Sequence, residues 1–152
     1  MTWLVTGGAG YIGSHVVRAF TADGIAAVVI DDLSSGHRSF VRPDVPFYEG
    51  SVLHNELLDQ IFTEHTISGV VHLAGFKYAG VSVSRPLHTY SQNITGMVSL
   101  LGSMAAHDVT MLVFSSSAAV YGTPTTDLVS EQAPTDPESP TGVQTGRRVG
   151  AP

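Results

Sequence analysis

The chain has 152 residues, 43% of them hydrophobic and 13% charged, with a formal net charge of −6. That length supports one compact domain with a real core, but not two full-sized domains. Seven Lys and Arg against thirteen Asp and Glu, with no basic cluster, argue against nucleic acid as a partner. Cysteine is absent, which excludes disulfides and thiolate metal sites, and the seven histidines show no ligand spacing, so no metal is expected. The longest apolar run, Ile25 to Ile30, is too short to cross a bilayer. The opening segment, Met1 to Thr6, has no basic region or small-residue cleavage site. A soluble cytoplasmic protein without a membrane partner is expected.

The first strand is predicted over Trp3–Val5 and leads through a glycine loop into a helix over Tyr11–Ala22. A second strand is predicted at Ala26–Ile30 and a third at Val45–Tyr48. The next helix covers Asn55–His65, where Leu57, Leu58, Ile61 and Phe62 recur at three- and four-residue steps. A fourth strand at Val70–Leu73, a helix over His88–His107 and a fifth strand at Met111–Phe114 follow. The strand segments are short, rich in branched residues and bounded by Gly, Asp or Ser, as strands buried on both faces are. Alternation at this pitch predicts an α/β fold with a doubly wound parallel sheet. From Thr123 the chain is rich in Pro, Thr, Asp and Ser and reads as a surface loop. Beyond Pro140, residues 141–152 have no amphipathic period and frequent glycine, so no helix is predicted there.

Glycines at 7, 10 and 13 lie between the first strand and the first helix, within Leu4-Val5-Thr6-Gly7-Gly8-Ala9-Gly10-Tyr11-Ile12-Gly13. Gly7 permits a sharp turn, Gly10 lets backbone approach a pyrophosphate, and Gly13 lets helix and strand pack closely. The N–H groups at the helix start, with the helix dipole, suit an anion. Asp31 ends the second strand 18 residues after Gly13. A carboxylate there can accept both ribose hydroxyls of an adenosine and would repel a 2′-phosphate, so NAD is expected over NADP.

With Thr-Gly-Gly-Ala-Gly-Tyr-Ile-Gly-Ser-His at residues 6–15 and Asp31-Asp32-Leu33-Ser34-Ser35-Gly36, the chain resembles the UDP-glucose 4-epimerase family of extended short-chain dehydrogenase/reductases. The resemblance continues through His72-Leu73-Ala74-Gly75-Phe76-Lys77, Pro86-Leu87, Asn93-Ile94-Thr95-Gly96, the run Phe114 to Gly122, and Glu138-Ser139-Pro140. It implies that Tyr11 and Ile12 flank the pyrophosphate, and that Asp31, Asp32, Leu33, Ser34, Ser35 and Gly36 wrap the adenosine ribose. Ser51 and Val52 fall beside the adenine, with Ser51 replacing the family's usual Asp. Leu73, Ala74, Gly75 and Lys77 would line the ribose and nicotinamide side, with Asn93 behind them. Ser117 matches the family's catalytic serine, and Tyr121 a wall of the substrate pocket. His72, beside the apolar Val70 and Val71, is read as a core or edge histidine.

The same resemblance implies interconversion of UDP-glucose and UDP-galactose through a 4-keto intermediate, a UDP-sugar as substrate, and a homodimer in the family. It also exposes a gap. Family members follow the Ser-Pro with a Tyr and, four residues on, a Lys that lowers the phenol pKa so that it can act as a base. Here Thr141 and Thr145 stand at those positions. Neither can do that chemistry, so no turnover is expected from the chain as it stands. Read from the second base of the Val143 codon, the tail permits Ser-Lys-Leu-x-Gly-Glu-Trp, which is similar to the family's catalytic helix. Residues 1–140 are therefore expected to be part of an NAD-binding Rossmann-like domain with strand order 3-2-1-4-5. Residues 141–152 are expected to be a frameshifted tail, and the C-terminal strands and substrate domain to be missing. Such a fragment is expected to expose an apolar sheet face near the fifth strand.

Overall fold

The structure is a computed structural model that describes residues 1–124 and 126–146. Its strands are β1 (Thr2–Thr6), β2 (Ala26–Asp31), β3 (Phe47–Glu49), β4 (Ile67–His72) and β5 (Met111–Phe114). The helices are α1 (Tyr11–Ala22), α2 (Asn55–Glu64), α3 (Ala79–Ser84), α4 (Pro86–Tyr90), α5 (Gly96–Ala106) and α6 (Pro140–Gly146). Two compact units result: Met1–Gly75 with Thr95–Ser115, and Phe76–Ile94 with the described residues from Ser116 onward.

The first unit holds the whole sheet, ordered β3-β2-β1-β4-β5 and parallel throughout, as the alternation predicted. Its faces follow from the two-residue period of a strand. Leu4, Val28, Ile30 and Val70 form one core with Leu58, Ile61 and Phe62 of α2 and Leu100 and Met104 of α5. Their neighbours Val5, Ala27, Val29 and Val71 form a second core with Val17 of α1. Both faces of the central strands are thus covered, which is why their sequences run continuously apolar instead of alternating. Burying each large aliphatic side chain stabilises by about 1.5–3 kcal/mol. Leu58 is fully buried, so its truncation to Ala should cost about 2–5 kcal/mol.

Helix α1 matches its predicted limits, and α2 ends one residue early, at Glu64. Other boundaries move. The third strand begins at Phe47, not Val45, because Val45 closes a turn onto the Arg42 carbonyl and Pro46 has no N–H for a ladder. The fourth strand runs Ile67–His72, three residues earlier than predicted at its start, since Ile67 and Gly69 also pair with β1. The helix predicted over His88–His107 is divided into α4, with Pro86 in its first turn, a π-helical stretch at Ser91–Thr95, and α5. Strand β5 departs from the both-faces-buried pattern: Met111, Val113 and Phe114 are 43%, 54% and 43% exposed. This is the exposed apolar surface expected beside the fifth strand.

The second unit contains α3, which lacks the amphipathic period that would have revealed it, together with α4 and α6. Helix α6 corrects the expectation of no helix after Pro140. Ser139 starts it: its hydroxyl accepts the Gly142 N–H at 3.2 Å and its carbonyl the Val143 N–H at 3.0 Å. Pro140 then occupies the first helical position, where its missing N–H costs nothing. Thr141 is 5% exposed. A Cβ on Gly142 would stand 2.4 Å from the Ala119 carbonyl, so the helix packs against the 3-10 turn Ala118–Tyr121 at glycine distance. Residues 147–152 of the expected tail lie outside the described residues. No helix among the described residues is long and apolar enough to cross a membrane.

Candidate functional site

The first unit builds a cradle at the carboxyl ends of β1, β2 and β4. Gly7 leaves β1 with φ +70°, and a Cβ there would sit 2.7 Å from the Ala74 nitrogen. A Cβ on Gly13 would stand 2.1 Å from the Gly7 carbonyl oxygen. Only glycine fits either place, so chain and helix can approach as the spacing predicted. The first α-helical bond runs from Ser14 N to the Gly10 carbonyl at 2.9 Å, so the N–H groups of Tyr11, Ile12 and Gly13 have no carbonyl one turn back. The Gly10 cap offers no side-chain bond, and the first turn holds no acidic residue. The positive end of a twelve-residue helix therefore carries no acidic side chain of its own. Tyr11 and Ile12 flank it and are exposed.

Asp31, 8% exposed, stands beside this loop. Its Oδ2 accepts the Ala9 N–H at 2.9 Å and its Oδ1 the Leu33 N–H at 2.8 Å. Each oxygen keeps a further lone pair for a hydroxyl donor. The second bond holds Leu33 at φ 56°, a left-handed conformation unfavourable for a branched residue. The following residues turn back onto the glycine loop: His37 N donates to the Ala9 carbonyl at 2.9 Å, and a Cβ on Gly36 would meet that carbonyl at 2.9 Å. Asp32 closes a local turn by accepting from Ser34 N and Oγ, which leaves Ser34 and Ser35 exposed.

Ser51 and Val52 lie next to this group, since Gly50 N donates to the Asp31 carbonyl at 3.0 Å. Val52 is buried. The Ser51 hydroxyl accepts the Leu53 N–H at 3.2 Å and so serves the turn before α2. Leu73, Ala74 and Gly75 leave β4 opposite Gly7. Here the structure adds residues that the sequence did not mark as functional. Thr6 is fully buried, and its Oγ1 takes part in bonds with His72 Nδ1 at 2.7 Å and with the N–H groups of Leu73 and Ala74, each at 3.2 Å. His72 is 3% exposed, stacked near Phe114, and held well below its ordinary pKa, at about 4, by burial. It is the core histidine expected. The available signal was a hydroxyl-bearing residue between the first strand and the glycine loop.

The other predicted residues, Lys77, Asn93 and Ser117, belong to the second unit. Asn93 lies in the π-helical stretch and grips the backbone of Phe76 on both sides. Its Oδ1 accepts the Phe76 N–H at 2.6 Å and its Nδ2 donates to the Phe76 carbonyl at 3.0 Å. The Phe76 ring meets Tyr78 and His88 edge-on. Lys77, the next residue, is thereby held on a fixed backbone and exposes its side chain. Ser117 is half-buried and caps the 3-10 turn by accepting the Ala119 N–H at 3.2 Å. Tyr121 ends that turn half-buried. Among the described residues no group of His, Asp or Glu is arranged to hold a metal ion.

The NAD dependent epimerase/dehydratase family model matches residues 3–144. The chain belongs to that family. It is 47% identical over 139 residues to the UDP-glucose 4-epimerase of Azospirillum brasilense, an alignment covering 91% of this chain and 40% of that protein. The crystal structure of UDP-glucose 4-epimerase from Brucella ovis in complex with NAD superposes with a TM-score of 0.89 at 37% identity, covering 95% of this chain and 44% of that one. The enzyme from Thermotoga maritima, solved with UDP-glucose, gives a TM-score of 0.88 at 35% identity over 95% of this chain and 48% of the other. The chain spans about two fifths of the length of the curated relatives it matches. The parallel sheet and glycine cradle are the part of the family fold that it carries.

Proposed function

We propose that the chain is the cofactor-binding part of an NAD-dependent nucleotide-sugar epimerase that interconverts UDP-glucose and UDP-galactose. The observation that carries the cofactor assignment is the joining of Asp31 to the glycine loop through Ala9. A buried carboxylate with lone pairs left for hydroxyl donors stands beside a helix start with uncompensated N–H groups. That donor and acceptor set fits a ribose next to a pyrophosphate. The bare Cα of Gly10 and the close approach at Gly7 supply the room. NAD, when bound, would take hydride from the sugar C4 and return it.

The chain's own residues would divide the work. Asp31 would orient the adenosine ribose and disfavour a 2′-phosphate, and the Tyr11–Gly13 amides would hold the phosphates. Ser51 and Val52 would border the adenine, while Leu73, Ala74, Gly75, Lys77 and Asn93 would serve the nicotinamide side. Ser117 would hydrogen-bond the reacting sugar oxygen. Thr141 stands where the family carries its phenol, and a threonine hydroxyl is too weak an acid to lose a proton near neutral pH. The chain should therefore hold cofactor without turning over.

Fluorescence titration with NADH, run beside a UDP-galactose epimerisation assay, tests both halves. Saturable binding with NADH favoured over NADPH and no epimerisation is the expected result. Absence of binding overturns the cofactor assignment, and measurable epimerisation overturns the inactivity. A second reading, a nucleotide-sugar dehydratase, lacks support, because Ser116-Ser117-Ala118 has no acidic pair after the fifth strand.

Residues 1–140 are assigned as cofactor-binding domain and residues 141–152 as an out-of-frame tail. Sequencing the gene across codons 138–152 decides this, and an intact frame rejects the frameshift. Assembly as a homodimer, supported by the exposed Val98 and Leu101 one turn apart on α5, is tested by light scattering at two protein concentrations.

A further inference from the structure

Thr6 and His72 face each other across the β1–β4 pairing, each the last residue of its strand before a loop of the cradle. A hydroxyl carries one proton and two lone pairs. Both lone pairs of Thr6 Oγ1 are taken, because the N–H groups of Leu73 and Ala74 can only donate and both point to it at 3.2 Å. The hydroxyl proton must therefore go to the third partner, His72 Nδ1, at 2.7 Å. That nitrogen accepts, so the ring proton sits on Nε2.

We infer that His72 is a positioning residue for the dinucleotide cradle. Its imidazole, neutral and bare at Nδ1, orients the Thr6 hydroxyl so that both Thr6 lone pairs secure the Leu73–Ala74 backbone against Gly7. The inference rests on the cofactor assignment above and extends it to a residue that would touch no ligand. The reason for the device lies in the spacing at Gly7, where a single added carbon would already collide with the Ala74 nitrogen. Two backbone segments that close need their separation fixed, because both line the space assigned to the cofactor. The main-chain bond from Leu73 N to the Thr6 carbonyl, at 3.1 Å, secures only one of the two amides. The Ala74 N–H depends on the hydroxyl, and the hydroxyl depends on the imidazole. Remove the acceptor on His72, and Thr6 is left with a buried proton that has no partner. It then rotates to find one and surrenders a lone pair now used by Leu73 or Ala74.

The test has two arms. In the first, the full chain is labelled with 15N-histidine and its ring nitrogens are observed by NMR without any dinucleotide. His72 should show an unprotonated Nδ1 and a protonated Nε2 near neutral pH; a protonated Nδ1 overturns the inference whatever the chain binds. In the second, NADH is titrated into the parent and into Thr6→Val, Thr6→Ser, His72→Leu and His72→Asn. Thr6→Val and His72→Leu should weaken binding roughly tenfold, the effect of one lost buried hydrogen bond. Thr6→Ser keeps the hydroxyl, and His72→Asn places an amide oxygen where Nδ1 was, so both should recover most of the affinity. A parent that binds NADH beside a His72→Leu variant that melts like it and binds equally well overturns the positioning role. A parent that fails to bind overturns the cofactor assignment instead, and the positioning role with it. Should His72→Leu fail to fold, His72→Asn and Thr6→Ser still decide: loss of binding in both, with melting unchanged, is incompatible with the proposed geometry.

Discussion

The carboxylate of Asp31 and the backbone of Ala9 are joined by a 2.9 Å hydrogen bond, so the acidic end of β2 braces the glycine loop that follows β1. One side chain therefore shapes the cradle and presents an acceptor inside it. Asp31→Asn separates these contributions poorly, and that is the expectation: an amide accepts through one oxygen only, so either Ala9 or Leu33 loses its partner. The cost should be about 1–3 kcal/mol, seen as a lower melting temperature together with weaker NADH binding. Weaker binding with melting unchanged would mean that Asp31 has no bracing role.

Gly7 and Gly24 share a left-handed backbone, φ +70° and +71°, but not their surroundings. Nothing lies within 4 Å of a Cβ built on Gly24, whereas one on Gly7 meets Ala74 backbone at 2.7 Å. Gly24→Ala should cost only the conformational penalty, about 1–2 kcal/mol. Gly7→Ala should cost clearly more, because backbone must move, and should abolish NADH binding. Urea denaturation of the two variants side by side measures the difference, and equal costs would contradict the close approach.

Acid should destabilise the fold through His72. Burial lowers its pKa from 6.5 to about 4, so the unfolded chain binds the proton more readily than the folded one. The stabilisation is complete above the unfolded value of 6.5, falls as pH drops from there toward 4, and is lost in full below that. The total is about 3 kcal/mol. Denaturation midpoints from pH 7 to pH 4 measure it, and His72→Asn should flatten that part of the profile.

Strand β5 ends the sheet with Met111, Val113 and Phe114 partly exposed. An edge strand with apolar side chains is a template for further pairing. Val113→Lys should lower the light scattering of concentrated solutions with little change in melting temperature, since the side chain is already 54% exposed. Unchanged scattering would locate the association elsewhere.

Much of the fold and of the cradle was legible because its causes are local. The segments Leu4–Val5 and Val28–Ile30 read as strands buried on both faces, and the Gly7–Gly13 spacing between a strand and a helix read as a tight entry to that helix, as the structure has them. Asp31 was identified by its place at the end of a strand. The starts of β3 and α6 were misjudged although their causes were also local: Pro46 has no N–H to give the ladder, and Ser139 before Pro140 is a helix start.

The sequence by itself determined most of the element types, the parallel sheet, the glycine turn between β1 and α1, and the place of Asp31 at the end of β2. These follow from backbone freedom, two- and three-to-four-residue periods, and the chemistry of single side chains. Only the tertiary structure decided that Asn93 holds the Phe76 backbone and that Thr6 and His72 form one hydrogen-bonded hub. Thr6 and His72 are 66 residues apart, and Asn93 and Phe76 are 17 apart. No periodicity links them, because a hydrogen bond is set by distance and direction in space, and those exist only once the strands have paired.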